Sequence, residues 1–319
     1  MNRAEANEIL IRHADFTASG RSHNHLVRAV RDGELVRIAP GVYIPAETWT
    51  TSYPDARHKL RVFAQLPRLG DVVYSHHSAA SVHESKLLGS WPDRVCVTVP
   101  PTGSKKGGRS SGAVTRKMAE LSVDDVVTID GVTVTSLART ATDLALILPF
   151  TECVAMFDAL RNRRHPRLTL GELTASLESQ SKRPGYWRAL QALAFSTDLS
   201  DSVQESRSRV LIHELGFPPP ELQYTLTCDG RTYRADFWWK RYRHWAEFDG
   251  KGKYLSPEYQ NGRSANEIVM TEKRREDAIR RRVDAFSRWE KRDLDDPRRL
   301  HRILSSNGLP GEGRRMLPA

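Results

Sequence analysis

Three acidic side chains stand among apolar neighbours: Asp236 between Ala235 and Phe237, and Glu247 and Asp249 on either side of Phe248. In an extended chain successive side chains point to opposite faces. Asp236 therefore points away from Ala235 and Phe237, and Glu247 and Asp249 point together, away from Ala246 and Phe248. If the two segments pair as a hairpin, the three carboxylates converge on one face and the apolar residues fill the other. Clustered acids repel one another, and a common reason to gather them is to hold a divalent cation; hard oxygen ligands suit Mg2+ or Mn2+. Such an ion activates water and stabilises charge in phosphodiester hydrolysis. Lys251, or Lys253 two residues on, could stabilise the developing negative charge or orient the water.

Plainer roles compete with some of these assignments. Asp249-Gly250 is an ordinary turn dipeptide. Asp236 and Glu247 have no such excuse, since Asp is disfavoured in strands and both sit in apolar surroundings. Trp238, Trp239 and Trp245 read as core or strand-pair residues rather than base-stacking platforms. The stretch 272–282 carries Lys273, Arg274, Arg275, Arg280, Arg281 and Arg282. It could contact phosphates, or be a solvated helix with Glu272, Glu276 and Asp277 interleaved.

The elements that must position the acids follow from pattern. A helix begins at Ser202 and ends at Leu215-Gly216, and Pro218-Pro219-Pro220 enforces an extended turn. Strands are expected at 222–227, 232–239 and 245–248, then a charged helix at 267–282, a short strand at 283–286 and a last helix near 297–304. This order, with Glu205 on the first helix, Asp236 on a strand, then Glu247-Phe248-Asp249-Gly250-Lys251-Gly252-Lys253-Tyr254, then Glu272-Lys273-Arg274-Arg275-Glu276 on a helix, resembles the PD-(D/E)XK nuclease superfamily. Within it, the likeness is to the bacterial branch related to very-short-patch repair endonucleases, over residues 201–310. The resemblance implies an αβββαβ core, a divalent metal, Asp236 and Glu247 as primary ligands, and Glu205 as the first-helix acid. Glu205 also follows Ser202 by three residues, the spacing of a capping box. The sequence departs from the family pattern twice. Ala235, not proline, precedes Asp236, and Asp249 occupies the usual lysine position. Either Asp249-Gly250-Lys251 is the motif, or a lysine comes in from Lys253 or Lys273.

At the other end, residues 4–14 read as a helix and 16–20 as a turn. Ser22 then caps a second helix to about Arg31, stopped by Gly33. Two short strands around Pro40-Gly41 follow, as in the wing of a winged helix. The pattern of Gly20, a capped helix and Arg37-Ile38-Ala39-Pro40-Gly41-Val42-Tyr43 resembles the winged-helix domain of type IV abortive-infection antitoxins. The resemblance implies a second helix entering the major groove, with Arg21, Ser22, His23, His25 and Arg28 as candidate contacts and Arg37 on the wing. The alternative is a winged helix used only for protein contacts.

The middle region, 51–195, reads as α/β, with strands near 72–75 and 94–99, an exposed loop at 100–112, a hairpin at 126–135 and helices at 137–148 and 151–160. His76-His77-Ser78-Ala79-Ala80 and Ser136-Leu137-Ala138-Arg139-Thr140-Ala141-Thr142-Asp143 resemble the companion segment of those antitoxin-like proteins. Adjacent histidines at a helix start face different ways, so a metal pair is not expected there. Arg139 and Asp143 have the spacing of a helix ion pair. The basic residues Lys105, Lys106, Arg109, Arg116 and Lys117 could touch DNA backbone or simply be solvated.

Composition sets the outer bounds. The chain has 319 residues, enough for two to three domains at roughly 100–150 residues each. The formal net charge of +10 favours a polyanionic partner. No run of about 18 apolar residues occurs, the start of the chain lacks the apolar core of a signal peptide, and Cys96, Cys153 and Cys228 lie too far apart for a zinc site or a disulfide framework. The expectation is a cytoplasmic α/β multidomain protein that binds DNA and not membranes. Its parts would be a winged helix at 1–50, an α/β middle domain at 51–195 and a restriction-endonuclease-like domain at 200–310, with Mg2+ or Mn2+ as cofactor. A non-catalytic, antitoxin-like regulator with a degenerate nuclease fold is the alternative, an RNA-directed nuclease a weaker one, and a homodimer is left open.

Overall fold

The structure is a computed structural model, and it describes residues 1–20, 22–101, 109–250 and 265–311. The chain divides into two compact units, Met1–Leu148 with Leu170–Ala189, and Pro149–Thr169 with Leu190–Ala319.

The first unit opens with α1 (Arg3–Ile9), β1 (Ile11–Arg12), α2 (His13–Ala18), α3 (His23–Arg31), β2 (Leu35–Ala39) and β3 (Val42–Pro45). Asn2 and Glu5 close a capping box on α1, satisfying two of the backbone donors that a helix start leaves open. The single helix expected over 4–14 is instead α1, a strand and the start of α2. Ile11 and Arg12 leave the helix to pair with Tyr43 and Val42, so β3 is hydrogen-bonded on both sides in the order β1-β3-β2. The turn expected at 16–20 is likewise the end of α2, with Gly20 at φ +80° releasing the chain toward α3. Pro40-Gly41 forms the tip between β2 and β3, with a bulge between Arg37 and Ala39. Ser22 does stand at the N-cap of α3, but its side chain makes no capping bond.

The unit continues with α4 (Ala46–Thr51), α5 (Pro54–Leu69), β4 (Val73–Tyr74), α6 (His76–Val82), β5 (Val95–Val99), β6 (Arg109–Ser111), β7 (Val114–Met118), β8 (Val126–Ile129), β9 (Val132–Thr135) and α7 (Leu137–Ala145). After α8 (Phe150–Arg161), which belongs to the second unit, come α9 (Leu170–Glu178) and α10 (Tyr186–Phe195), whose residues from Leu190 on belong to the second unit. Six strands form one mixed sheet in the order β6-β7-β5-β4-β9-β8. The hairpin read from Asp130-Gly131 is β8–β9, and both turn residues have positive φ, as a type I′ turn requires. Part of the stretch expected as an exposed loop is strand β6; residues 102–108 lie outside the described residues. Ala6, Leu10, Ile38 and Ile44 share one buried core with Leu60, Phe63, Val97 and Val134, so the N-terminal segment and the region after it pack as one body. Gly185, at φ +89°, has no room for a side chain: a Cβ there would lie 2.1 Å from the Leu146 carbonyl oxygen. Gly185→Ala is therefore expected to destabilise the protein by about 2 kcal/mol or more, readable as a shifted urea midpoint; an unchanged midpoint would show that the contact is relieved without cost.

The second unit contains α8, α11 (Val203–Glu214), β10 (Glu221–Leu222), β11 (Thr225–Cys228), β12 (Arg231–Arg234), β13 (Phe237–Trp239), β14 (His244–Phe248), α12 (Ala265–Arg280), β15 (Ala285–Trp289), α13 (Lys291–Leu294) and α14 (Pro297–Ser306). Its main sheet runs β10-β13-β14-β15, antiparallel except for the parallel pair β14–β15. The strands expected at 222–227 and 232–239 are each split. Gln223 breaks the first with φ +57°, and β11–β12 form a separate hairpin. The second changes sheet at Ala235-Asp236. Period-two alternation holds on the main sheet: Phe237, Trp239, Ala246 and Trp289 pack with Leu211 and Leu300 on one face, and Trp238, Trp245 and Phe286 pack with Ile279 on the other. All three tryptophans singled out above are core residues.

Candidate functional site

On the winged segment, α3 turns Leu26 and Ala29 inward, where Leu26 packs with Phe16 and Tyr43. Ser22, His23, His25 and Arg28 are exposed, as is Arg37 on β2. No acidic residue occurs in α3, so this face is uniformly neutral or basic. His23 is tied to His13 of α2 by a ring nitrogen contact of 3.1 Å, and the His25 ring lies 5.7 Å from that of Phe16. These contacts hold the first turn of α3 against α2. Arg21 lies outside the described residues.

In the second unit the acids fall into two groups. Glu205, buried in the first turn of α11, accepts from Ser202 Oγ at 3.0 Å, the Asp201 N–H at 3.0 Å and Gln223 Nε2 at 3.0 Å. Its own N–H donates to Ser202 Oγ, so the capping role is present. Burial, together with the nearby Asp236 carboxylate, pushes Glu205 up to about 8, against the opposing hydrogen bonds from Asp201 and Ser202. Asp236 Oδ2 accepts the Phe248 N–H at 2.9 Å, which pins the junction where the chain enters the main sheet.

Glu247 belongs to a different network. Phe237 pairs with Ala246 and Glu247 with Arg288, so Glu247 and Arg288 share the face covered by α12. Glu247 accepts from Trp245 Nε1 at 2.7 Å, from both terminal nitrogens of Arg275 and from Arg288 Nη2 at 3.1 Å. Both guanidinium groups also reach Glu272 at 2.8 Å. Burial alone would push the Glu247 carboxyl up; Arg275, Trp245 and Arg288 override it and hold the group below the ordinary carboxylate range. Asp249 is half-buried and 4.0 Å from Arg288, and burial pushes its carboxyl up. Lys251 and Lys253 lie outside the described residues.

The described donors do not form a ready-made cage for a hard cation: among the described residues no three His, Cys, Asp or Glu side chains are grouped to hold a metal ion. A cation at Glu247 would have to displace two guanidinium groups. Arg288 and Gln223 are the partners that sequence reasoning missed. Arg288 carried a readable signal, a charge inside the apolar strand Ala285-Phe286-Ser287-Arg288-Trp289, the same signal that picked out Glu247. Gln223 carried none. Of the basic helix residues, Arg280 pairs with Glu276 at 2.7 Å and Arg281 with Asp229 at 2.7 Å, whereas Lys273 and Arg274 are exposed. No helix among the described residues is long and apolar enough to cross a membrane.

Comparison with known proteins bears on the N-terminal segment most directly. Two uncharacterized proteins, one from each of two strains of Mycobacterium tuberculosis, are each 28% identical to this chain over 230 residues, 72% of this chain and 78% of theirs. The family described as "Transcriptional regulator, AbiEi antitoxin" matches residues 3–46, the stretch that folds into α1 through β3 and carries the exposed face of α3.

Proposed function

We propose that the protein is a cytoplasmic, antitoxin-type transcriptional regulator that reads DNA through α3 and the β2–β3 wing. The observation that carries this reading is the coincidence of the regulator family match at 3–46 with a helix–strand–helix–helix–strand–wing–strand order whose α3 face is exposed and free of acids. The formal charge of +10 suits a polyanionic partner. The test is fluorescence anisotropy with the DNA upstream of the protein's own gene, against unrelated DNA, over a range of salt. Binding should be specific and should weaken steeply with salt. Arg28→Ala should cost about 1–3 kcal/mol if the guanidinium reads a base, and Arg37→Ala should weaken binding to all sequences alike. Undiminished affinity in a His25→Ala, Arg28→Ala, Arg37→Ala protein would remove α3 and the wing from the interface. A homodimer would protect two half-sites about 34–36 Å apart, which footprinting reads directly.

A second reading is Mg2+- or Mn2+-dependent cleavage of DNA by the second unit. It draws support from the order helix, antiparallel strands, helix, parallel strand, which is the order of the PD-(D/E)XK nucleases, and from the Glu205–Asp236 acid pair. On this reading Asp236 and Glu247 hold the ion, with Asp249 or Glu205 completing its shell and Lys251 or Lys253 assisting. Supercoiled, linear, nicked and mismatched DNA, and RNA, incubated with pure protein and either ion should show cleavage that Asp236→Asn abolishes. Cleavage surviving that substitution would come from elsewhere, and none with any substrate leaves the regulator reading alone.

A further inference from the structure

The first unit contains a cavity of about 430 Å3 whose lining includes His76, Arg94, Cys96, Thr115, Lys117 and Ile147, a volume typical of small-molecule sites. Its floor follows from sheet register. Cys96 pairs with Thr115 and Thr98 with Lys117 across the parallel strands β5 and β7, so these four side chains share one face. Val95, Val97 and Val114 take the other and enter the core.

His76 forms the inner wall. It is 2% exposed, and its backbone is held at φ +53°, a region uncommon for residues with a side chain, though His enters it more often than most, and one that recurs at ligand sites. Its Nδ1 lies 3.0 Å from Ser75 Oγ, and that oxygen accepts from Thr98 Oγ1 at 2.8 Å. The single Ser75 proton has two candidate acceptors, His76 Nδ1 at 3.0 Å and the Cys96 sulfur at 3.7 Å. Nitrogen is both nearer and the stronger acceptor. When Ser75 donates to Nδ1, as the nearer and stronger acceptor favours, the ring proton lies on Nε2. That atom is buried and has no hydrogen-bond partner among the described residues. Burial, the largest influence, holds the ring neutral, with its pKa down to about 4. A buried donor without an acceptor is a standing cost that a ligand acceptor would remove.

The charges around the cavity have one sign to spare. Asp93 is taken by Arg61 at 2.6 Å, and Asp143, the charge that acts most strongly on His76, is taken by Arg139 at 3.2 Å and Arg183 at 2.6 Å. Arg94 and Lys117 make no ion pair among the described residues, and Lys117 too is near enough to act electrostatically on His76. We propose that this cavity binds a small organic anion with an apolar body. The anionic oxygen accepts from His76 Nε2–H and pairs with Lys117, and the apolar part lies against Cys96, Pro92 and Ile147.

The test uses the full chain with benzoate, 1-naphthoate and phenyl phosphate as probes and benzyl alcohol as the neutral control. Binding is followed by calorimetry and by the ring-nitrogen NMR signals of His76. We expect one saturable site for an anionic probe, a shifted Nε2–H signal, affinity about tenfold lower in Lys117→Ala, and loss of binding in Thr115→Trp, which fills the cavity from its floor. Preference between the carboxylates and the phosphate ester identifies the headgroup. The inference is overturned if no anionic probe binds at roughly millimolar concentration, if benzyl alcohol binds as well as the anions, or if Lys117→Ala binds with unchanged affinity. Lys117→Ala alters a half-exposed side chain, so it stays informative should Thr115→Trp fail to fold.

Discussion

Glu247→Ala is expected to destabilise the protein by about 3–5 kcal/mol in the absence of divalent ions, because it leaves two part-buried guanidinium groups facing an empty position. Arg275 and Arg288 are each only about a quarter exposed, at 26% and 24% of their side-chain surface, and the Trp245 indole N–H loses its acceptor as well. The remaining carboxylate, Glu272, already bonds both arginines, which places the effect toward the lower end of the range. The sign matters more than the size. A carboxylate placed chiefly to hold a cation sits among repelling acids, and its removal without the ion relieves strain. A carboxylate placed among arginines does the reverse. Urea unfolding of Glu247→Ala in a chelator therefore separates the two roles: a higher midpoint than the parent protein would sink the structural role and return Glu247 to the metal-ligand set. Replacing Glu247, Arg275 and Arg288 together by Leu, Met and Met should recover most of the loss, since a well-packed apolar substitute for a buried ion network is often neutral or better.

The same residues show what could be read in advance. Alternation along Ala246-Glu247-Phe248 places both apolar side chains on one face, as the structure has them, because a strand buried on both sides obeys period two whatever its partners are. Along Ala235-Asp236-Phe237 it fails, since Ala235 packs with Trp238 and Trp245 while Phe237 enters the opposite face. The Ser202–Glu205 spacing foretold the cap, and Asp130-Gly131 the hairpin, because both are settled within four residues. What local pattern does not carry is the identity of a distant neighbour. Arg288 reaches Glu247 only through the parallel pairing of β14 with β15, 41 residues along the chain. The split at Ala235-Asp236 depends on β12 having its own partner in β11. Ile11 and Arg12 read as helix by their neighbours and become strand because β3 has an open edge. Adjacent side chains at a helix start face different ways, which argues against reading His76 and His77 as a metal pair. Local pattern does not show the setting of His76 by itself, which is made by Ser75 beside it and by Thr98 and Lys117 from two strands further on.

Lowering the pH from 7 toward 4 should cost the folded chain several kcal/mol, through histidines that are buried neutral. His58 is fully buried, with Nδ1 2.8 Å from the Pro92 carbonyl oxygen and Nε2 3.0 Å from Ser78 Oγ. Burial lowers its pKa from 6.5 to about 4; the Pro92 carbonyl and Asp93 oppose the shift, and His77 and Arg61 add to it. His76 is lowered to about 4 by the same cause. An unfolded chain takes up these protons near pH 6.5, and the folded chain only near 4. Between those values the unfolded state binds more protons, so stability rises with pH. The contribution is fully present above pH 6.5 and is lost as the pH falls through the window toward 4. At 1.36 kcal/mol per pKa unit, each of the two rings accounts for about 3 kcal/mol. His244 in the second unit is also lowered to about 4, so the slope must be assigned by substitution. Urea unfolding of the full chain at several pH values between 7 and 4.5 should show His58→Gln with a slope shallower than the parent by up to one proton. Equal slopes would mean that the folded state admits a charged His58, by opening the contact to Pro92 or letting water reach the ring, and the burial argument would fail at its first step.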